Sequence, residues 1–125
     1  IAKGEKNGNC VVKHGNLDSV RTYSHIDDAI EAYWLCSESD KYGEVYNIGG
    51  NETCKVGDAL DALISKSDKD FVKVLDEKRM RPTDITLQIP STAKFRTDFD
   101  WEPKKTMDDI WNDLLNYWRG ELKNG

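Results

Sequence analysis

The chain has 125 residues, 38% hydrophobic and 33% charged, with a formal net charge of -5. That length suits one domain with a modest core, and four Trp with five Tyr exclude a disordered acidic tail. The acidic balance argues against non-specific nucleic-acid binding, since only the local pairs Arg79/Arg81 and Lys104/Lys105 concentrate positive charge.

Ile1-Ala2-Lys3-Gly4 reads as the tail of a helix cut at a boundary, so the chain is expected to be a fragment. Cys10 to Lys13 is a short β-rich run between Gly8 and Gly15-Asn16. A second extended stretch, Val20 to Tyr23, carries Arg21. Asp27 and Asp28 then open a helix, where the dipole favours acid, and Ile26, Ala29, Ile30, Tyr33 and Trp34 mark its apolar face. Glu44 to Ile48 reads as a strand stopped by Gly49-Gly50.

Val56, Ala59, Leu60, Leu63 and Ile64 give a second helical stripe, entered through Thr53 or Cys54. Phe71 to Leu75 is the next expected strand. The polar, Pro-containing stretch from Asp76 to Pro90 is long for a loop in a compact domain, and such loops are often functional. Ser91 is placed to cap a short helix through Phe95. The last helix starts at a capping-box-like Thr106/Asp109 and carries Met107, Ile110, Trp111, Leu114, Leu115 and Trp118, with Gly120 expected to close it. The pattern predicts an α/β fold, a small α+β-like domain over residues 1–125 with three to four short strands and four helices.

The chemistry for catalysis is absent: no GxSxG, no HExxH, no Tyr-x-x-x-Lys and no GxGxxG or GxxGxxG turn occurs. No catalytic, cofactor-binding or metal-ligating residue is therefore expected. His25, before Asp27 and Asp28, reads as a structural histidine near a helix cap. Cys10, Cys36 and Cys54 form no CxxC and read as thiols of a reducing compartment. With no apolar run of membrane-spanning length and no signal peptide at the start, the cytoplasm is the expected location.

Two arginines and a carboxylate remain. Arg21 and Arg81 each offer a planar fork of donors suited to phosphate oxygens, and Asp84, three residues beyond Arg81, can accept from ribose hydroxyls. Pro82 stiffens the backbone after Arg81. Spacing does not bring these groups together, and a solvated loop with a local Arg/Asp ion pair accounts equally for the same residues.

The runs Gly15-Asn16-Leu17-Asp18-Ser19-Val20-Arg21-Thr22-Tyr23-Ser24-His25-Ile26-Asp27-Asp28-Ala29, Gly43-Glu44-Val45-Tyr46-Asn47-Ile48-Gly49-Gly50 and Arg79-Met80-Arg81-Pro82-Thr83-Asp84 resemble the C-terminal region of GDP-mannose 4,6-dehydratases. Phe99-Asp100-Trp101-Glu102-Pro103 and Leu114-Leu115-Asn116-Tyr117-Trp118-Arg119 continue the match in the same order, within the extended short-chain dehydrogenase/reductase superfamily. The resemblance implies a large Rossmann domain binding NAD(P), followed by a smaller sugar-nucleotide-binding domain like this chain. It implies oxidation of the hexose at C4 by the cofactor, loss of water across C5–C6 and return of hydride at C6. It places Arg21 and Arg81 on the substrate diphosphate, Asp84 on the ribose (many dehydratases carry Glu there), and Val12 and Lys13 near the nucleobase. Glu44 to Ile48 would join the sheet of the nucleotide-binding domain. By this reading the chain is the GDP-mannose-binding part of a dehydratase and inactive alone, and its uncovered apolar face and strand edge favour self-association. An epimerase or reductase of the same superfamily, a stand-alone nucleotide-binding module and an assembly domain are the alternatives.

Overall fold

The computed structural model describes residues 1–124. Five α-helices and five short strands follow one another: α1 (Ala2–Asn7), β1 (Val11–His14), β2 (Val20–Thr22), α2 (Ile26–Ser37), β3 (Thr53–Lys55), α3 (Val56–Ser65), β4 (Val72–Leu75), β5 (Leu87–Gln88), α4 (Ala93–Phe99) and α5 (Met107–Asn124). The expected small mixed α/β domain is what forms, with one helix and one strand more than the highest expected numbers.

The strands make two separate sheets. β1 and β4 pair in parallel, Val11 opposite Val72 through His14 opposite Leu75. In the other sheet β2 is central, antiparallel to β3 and parallel to β5, so that Arg21 faces Cys54 on one side and Gln88 on the other. β5 lies within the 76–90 stretch expected to be loop. Two residues carry too little pattern to announce a strand, and Leu87–Gln88 is extended because β2 offers it an open edge.

Helix α2 begins at His25, whose Nδ1 accepts from the Asp27 amide at 3.1 Å while Nε2 donates to Asp113 Oδ2 at 3.0 Å. The histidine is buried and ties the start of α2 to α5, as its structural reading expected. Asp28 is also buried, its two oxygens accepting the amides of Lys104 (3.0 Å) and Lys105 (3.2 Å). With Asp28 and Ala32 turned inward, the expected apolar face turns out to be the outer one. Ile26, Ile30, Tyr33 and Trp34 are all exposed, Tyr33 by 71%. Both faces of α2 are thus apolar, and the one bearing small Ala32 accommodates the aromatic core.

That core joins Ala32, Phe95 and Trp101, with Leu35, Cys36, Tyr46, Ile48 and Phe99 packed around them. Phe95 is fully buried, stacked on Phe99 at 4.5 Å and edge-on to Trp101 at 5.2 Å. A second apolar contact unites α1, α3 and α5 around Ala2, Ala59, Trp111 and Leu115. Here the α3 stripe expected from the sequence does face inward.

Glu44 to Ile48, expected as a strand, forms none among the described residues. Its burial still alternates, with Val45 and Asn47 exposed and Tyr46 and Ile48 half-buried. The segment has strand-like alternation and lacks only a neighbouring strand to complete a ladder. Side chains hold it instead: Tyr46 donates to Asp98 at 2.7 Å, and Lys94 reaches Glu44 and the Val45 carbonyl. Downstream, Gly50 passes so near β2 that a Cβ there would collide with the Tyr23 carbonyl oxygen.

The boundaries of three helices differ most from expectation, while β1, β2 and β4 are each shifted or trimmed by one residue. α3 is entered from Lys55, because Thr53 and Cys54 are spent on β3. α4 starts after Thr92 and runs to Phe99, ending where Asp100 takes a left-handed conformation (φ 48°). α5 starts at the reciprocal Thr106/Asp109 cap and continues past Gly120, which a helix with tertiary support tolerates.

Candidate functional site

A polar cleft of about 360 Å³ opens where the 15–19 loop, β2, the start of α3 and the 79–84 loop meet. Gly15, Asn16, Ser19, Arg21, Val56, Arg79, Arg81 and Asp84 line it. The three residues singled out by chemistry therefore converge, although Arg21 and Arg81 are 60 positions apart in sequence.

Arg21 is delivered by the central strand β2. Its Nη1 donates to the Val20 carbonyl at 2.8 Å and its Nη2 lies 3.6 Å from Asp84 Oδ1, an ion pair longer than a hydrogen bond. Arg81 is exposed and makes no hydrogen bond or ion pair with the described residues, so its fork of donors is available to a ligand. Neighbouring Arg79 is instead engaged by Asp76, Nε to Oδ2 at 3.3 Å.

Asp84 is the best-held group of the cleft. Its Oδ2 accepts from Asn16 Nδ2 at 2.6 Å and from Ser19 Oγ at 3.0 Å. The Asn16 bond, then the Ser19 bond, hold its carboxyl below the usual range, with smaller help from the Ile85 amide and least from Arg21. The acid therefore stays ionised at neutral pH and below.

The 15–19 loop is fixed from two sides. The amides of Val56 and Gly57, at the start of α3, donate to the carbonyls of Ser19 and Leu17, both at 2.9 Å. Gly15 passes so close to the 77–79 turn that a Cβ would stand 2.6 Å from the Arg79 carbonyl oxygen, which only glycine permits without displacing the loop. Val12 and Lys13 sit on β1 leading into this loop, Val12 half-buried and Lys13 exposed, and neither lines the cleft. Asn16 and Ser19 also line the cleft, and sequence alone does not mark them as site residues. Their signal was faint: an Asn and a Ser after a strand read first as turn formers.

A larger hollow, about 590 Å³, lies between α1, the end of α3 and α5. Its strongest cations are already occupied: Arg119 forks onto Glu5 (2.8 and 2.6 Å), and Lys66 pairs with Asp108. The smaller cleft is the better candidate because it keeps an uncommitted guanidinium. Among the described residues no cluster of His, Cys, Asp or Glu is suited to a metal, and no helix is long and apolar enough to cross a membrane.

The fold recurs in solved enzymes. It superposes on RMD of Pseudomonas aeruginosa, solved with NADPH, with a TM-score of 0.84 at 20% identity, over 96% of this chain and 40% of that one. A UDP-glucose-4-epimerase of Stenotrophomonas maltophila, solved with NAD, gives 0.82 at 16% identity, over the whole of this chain and 40% of its own. The described domain thus has the fold of part of the extended short-chain dehydrogenase/reductase enzymes.

The family model for GDP-mannose 4,6 dehydratase matches residues 1–114, and the chain belongs to that family. Its relatives include the GDP-mannose 4,6 dehydratases of Drosophila melanogaster (27% identical, 81% of this chain) and Dictyostelium discoideum (26% identical, 89% of this chain). The chain spans only 30% and 36% of the length of those two proteins.

Proposed function

We propose that this chain is the nucleotide-sugar-binding portion of an NAD(P)-dependent dehydratase acting on GDP-mannose, yielding GDP-4-keto-6-deoxymannose. The observation that carries the reading is the convergence of Arg21, Arg81 and Asp84 on one cleft, with Arg81 unpaired among the described residues. Arg81 and the remaining donors of Arg21 hold the diphosphate, Asp84 accepts from the ribose, and Val12 and Lys13 on β1 lie on the nucleobase side. These residues bind and orient; they supply remote binding energy that is spent at a reacting centre elsewhere. NAD(P), which takes the hydride and returns it, is assigned to none of this chain's residues: no glycine-rich strand–turn–helix and no Tyr-x-x-x-Lys is present to hold it or to move protons. The 125-residue chain is accordingly expected to show no turnover with GDP-mannose and NAD(P).

The outer face of α2 and the exposed edge at Val45 belong to the same reading. Ile26, Ile30, Tyr33, Trp34 and Val45 form the surface on which a cofactor-binding domain would rest, and the unpaired 44–48 segment would extend its sheet. Without that domain the same surface favours self-association, visible as concentration-dependent sedimentation.

Titration with GDP tests the cleft. Arg81→Ala or Arg21→Ala should weaken binding by about 1.5–3 kcal/mol, the scale of a hydrogen bond to a charged group. Arg81→Lys keeps the charge but loses the fork, and a clear loss there identifies bidentate contact. Undiminished GDP affinity in both alanine variants would overturn the assignment.

A further inference from the structure

We propose that Asn16 and Ser19 are positioning residues that turn one edge of the Asp84 carboxylate toward the cleft, and so make the site select ligands that carry a hydroxyl donor beside a diphosphate. This rests on the cleft being a nucleoside-diphosphate site, and it adds residues and a selectivity to that reading.

The geometry is over-determined. The Asn16 side chain cannot swivel: its Oδ1 accepts the Asp18 amide at 2.9 Å, while Nδ2 donates both to Ser19 Oγ (3.1 Å) and to Asp84 Oδ2 (2.6 Å). Ser19 is 2% exposed, and its hydroxyl donates to the same Oδ2 at 3.0 Å. Two donors occupy Oδ2, about the number a carboxylate oxygen accepts in its plane. Oδ1 is left: among the described residues no side chain comes within hydrogen-bond distance of it, and the neighbouring Ile85 amide gives the carboxylate only minor help. Arg21 Nη2, at 3.6 Å, is the nearest charged partner. The carboxylate thus presents one acceptor edge beside the Arg21 guanidinium.

A freely rotating Asp84 would spend part of its time folded onto Arg21 or turned to solvent, and would give a hydroxyl little preference. Locked by Asn16 and Ser19, it offers a fixed acceptor whose hydrogen bond to a ligand hydroxyl costs little ordering. The anchoring of the 15–19 loop on the first amides of α3 extends this rigidity to the fold.

The test is an NMR-detected titration of the 125-residue chain with three probes: GDP, its 2′,3′-dideoxy analogue and inorganic pyrophosphate. The unaltered chain should bind GDP about tenfold more tightly than the dideoxy analogue, the scale of one charge-assisted hydrogen bond. Asn16→Ala and Ser19→Ala should each bring that ratio close to one, with pyrophosphate affinity within about twofold of the starting value. Retained pyrophosphate binding reports that the cleft is still folded, a readout a merely structural role would not spare. A ratio of one in the unaltered chain overturns the selectivity while leaving the diphosphate site standing. A ratio that survives both substitutions overturns the positioning role, as does equal loss of all three probes. Failure of both GDP and pyrophosphate to bind the unaltered chain removes the diphosphate reading, and this proposal with it.

Discussion

The two faces of α2 differ in what holds them. On the inner face Asp28 accepts two backbone amides, and Ala32 lets Phe95 and Trp101 approach. On the outer face Ile26, Ile30, Tyr33 and Trp34 carry more apolar area, yet each is more than half exposed. Apolar area therefore did not choose the buried side. The buried face is the one whose carboxylate meets the Lys104 and Lys105 amides and whose small Ala32 fits a tight aromatic cluster. The bare face keeps its apolar area exposed.

The largest effect should come from the inner face. Phe95→Ala empties the centre of the aromatic cluster and should cost about 3–5 kcal/mol in urea unfolding followed by circular dichroism. A cost below about 1 kcal/mol would show that the inner packing is not what holds α2. Next is Asp28→Asn, nearly equal in shape. One of the two amides of Lys104 and Lys105 then meets an NH₂ donor in place of an oxygen, and about 2–3 kcal/mol should be lost. If the loss is negligible, polar satisfaction did not select the face.

The clamp between α1 and α5 extends the comparison to a polar anchor nearer the surface. Bidentate contact with Arg119 is the main reason the Glu5 carboxyl is held down at about 2, against its ordinary 4.5. A lowered folded-state value stabilises the fold above pH 4.5, and that contribution disappears as pH falls from there toward 2. Arg119→Ala should cost about 1–2 kcal/mol at neutral pH, discounted for partial exposure, and should flatten acid unfolding across that window. An acid profile identical to the original would mean the pair is screened out.

The smallest effect on stability belongs to the outer face. Trp34→Lys should change unfolding by less than about 0.5 kcal/mol, yet lower the sedimentation coefficient of any assembled form at high concentration. A large destabilisation would mean that the outer face is already covered within this chain.

Sequence patterns were informative where a segment answers to its own neighbours. The α3 stripe, the Thr106/Asp109 cap and the β1 and β2 runs follow local rules of period, capping and β-branching, and they appear close to where those rules put them. Arg21, Arg81 and Asp84 could be named from their chemistry, because guanidinium forks suit a diphosphate and a carboxylate suits ribose hydroxyls, although a local ion pair would account for the same residues. What local rules could not supply was partnership. Glu44 to Ile48 has strand alternation but no ladder, and Leu87–Gln88 has a ladder but hardly any pattern, because a strand exists only when another edge lies beside it. The same holds for the inner face of α2 and for Asn16 and Ser19, which become site residues only when folding carries Asp84 across 68 and 65 positions of chain to meet them. Sequence by itself determined which groups were capable of binding and which segments would coil or extend. Tertiary structure alone decided which face was buried and which donors locked the carboxylate, since both depend on contacts between residues far apart in the chain.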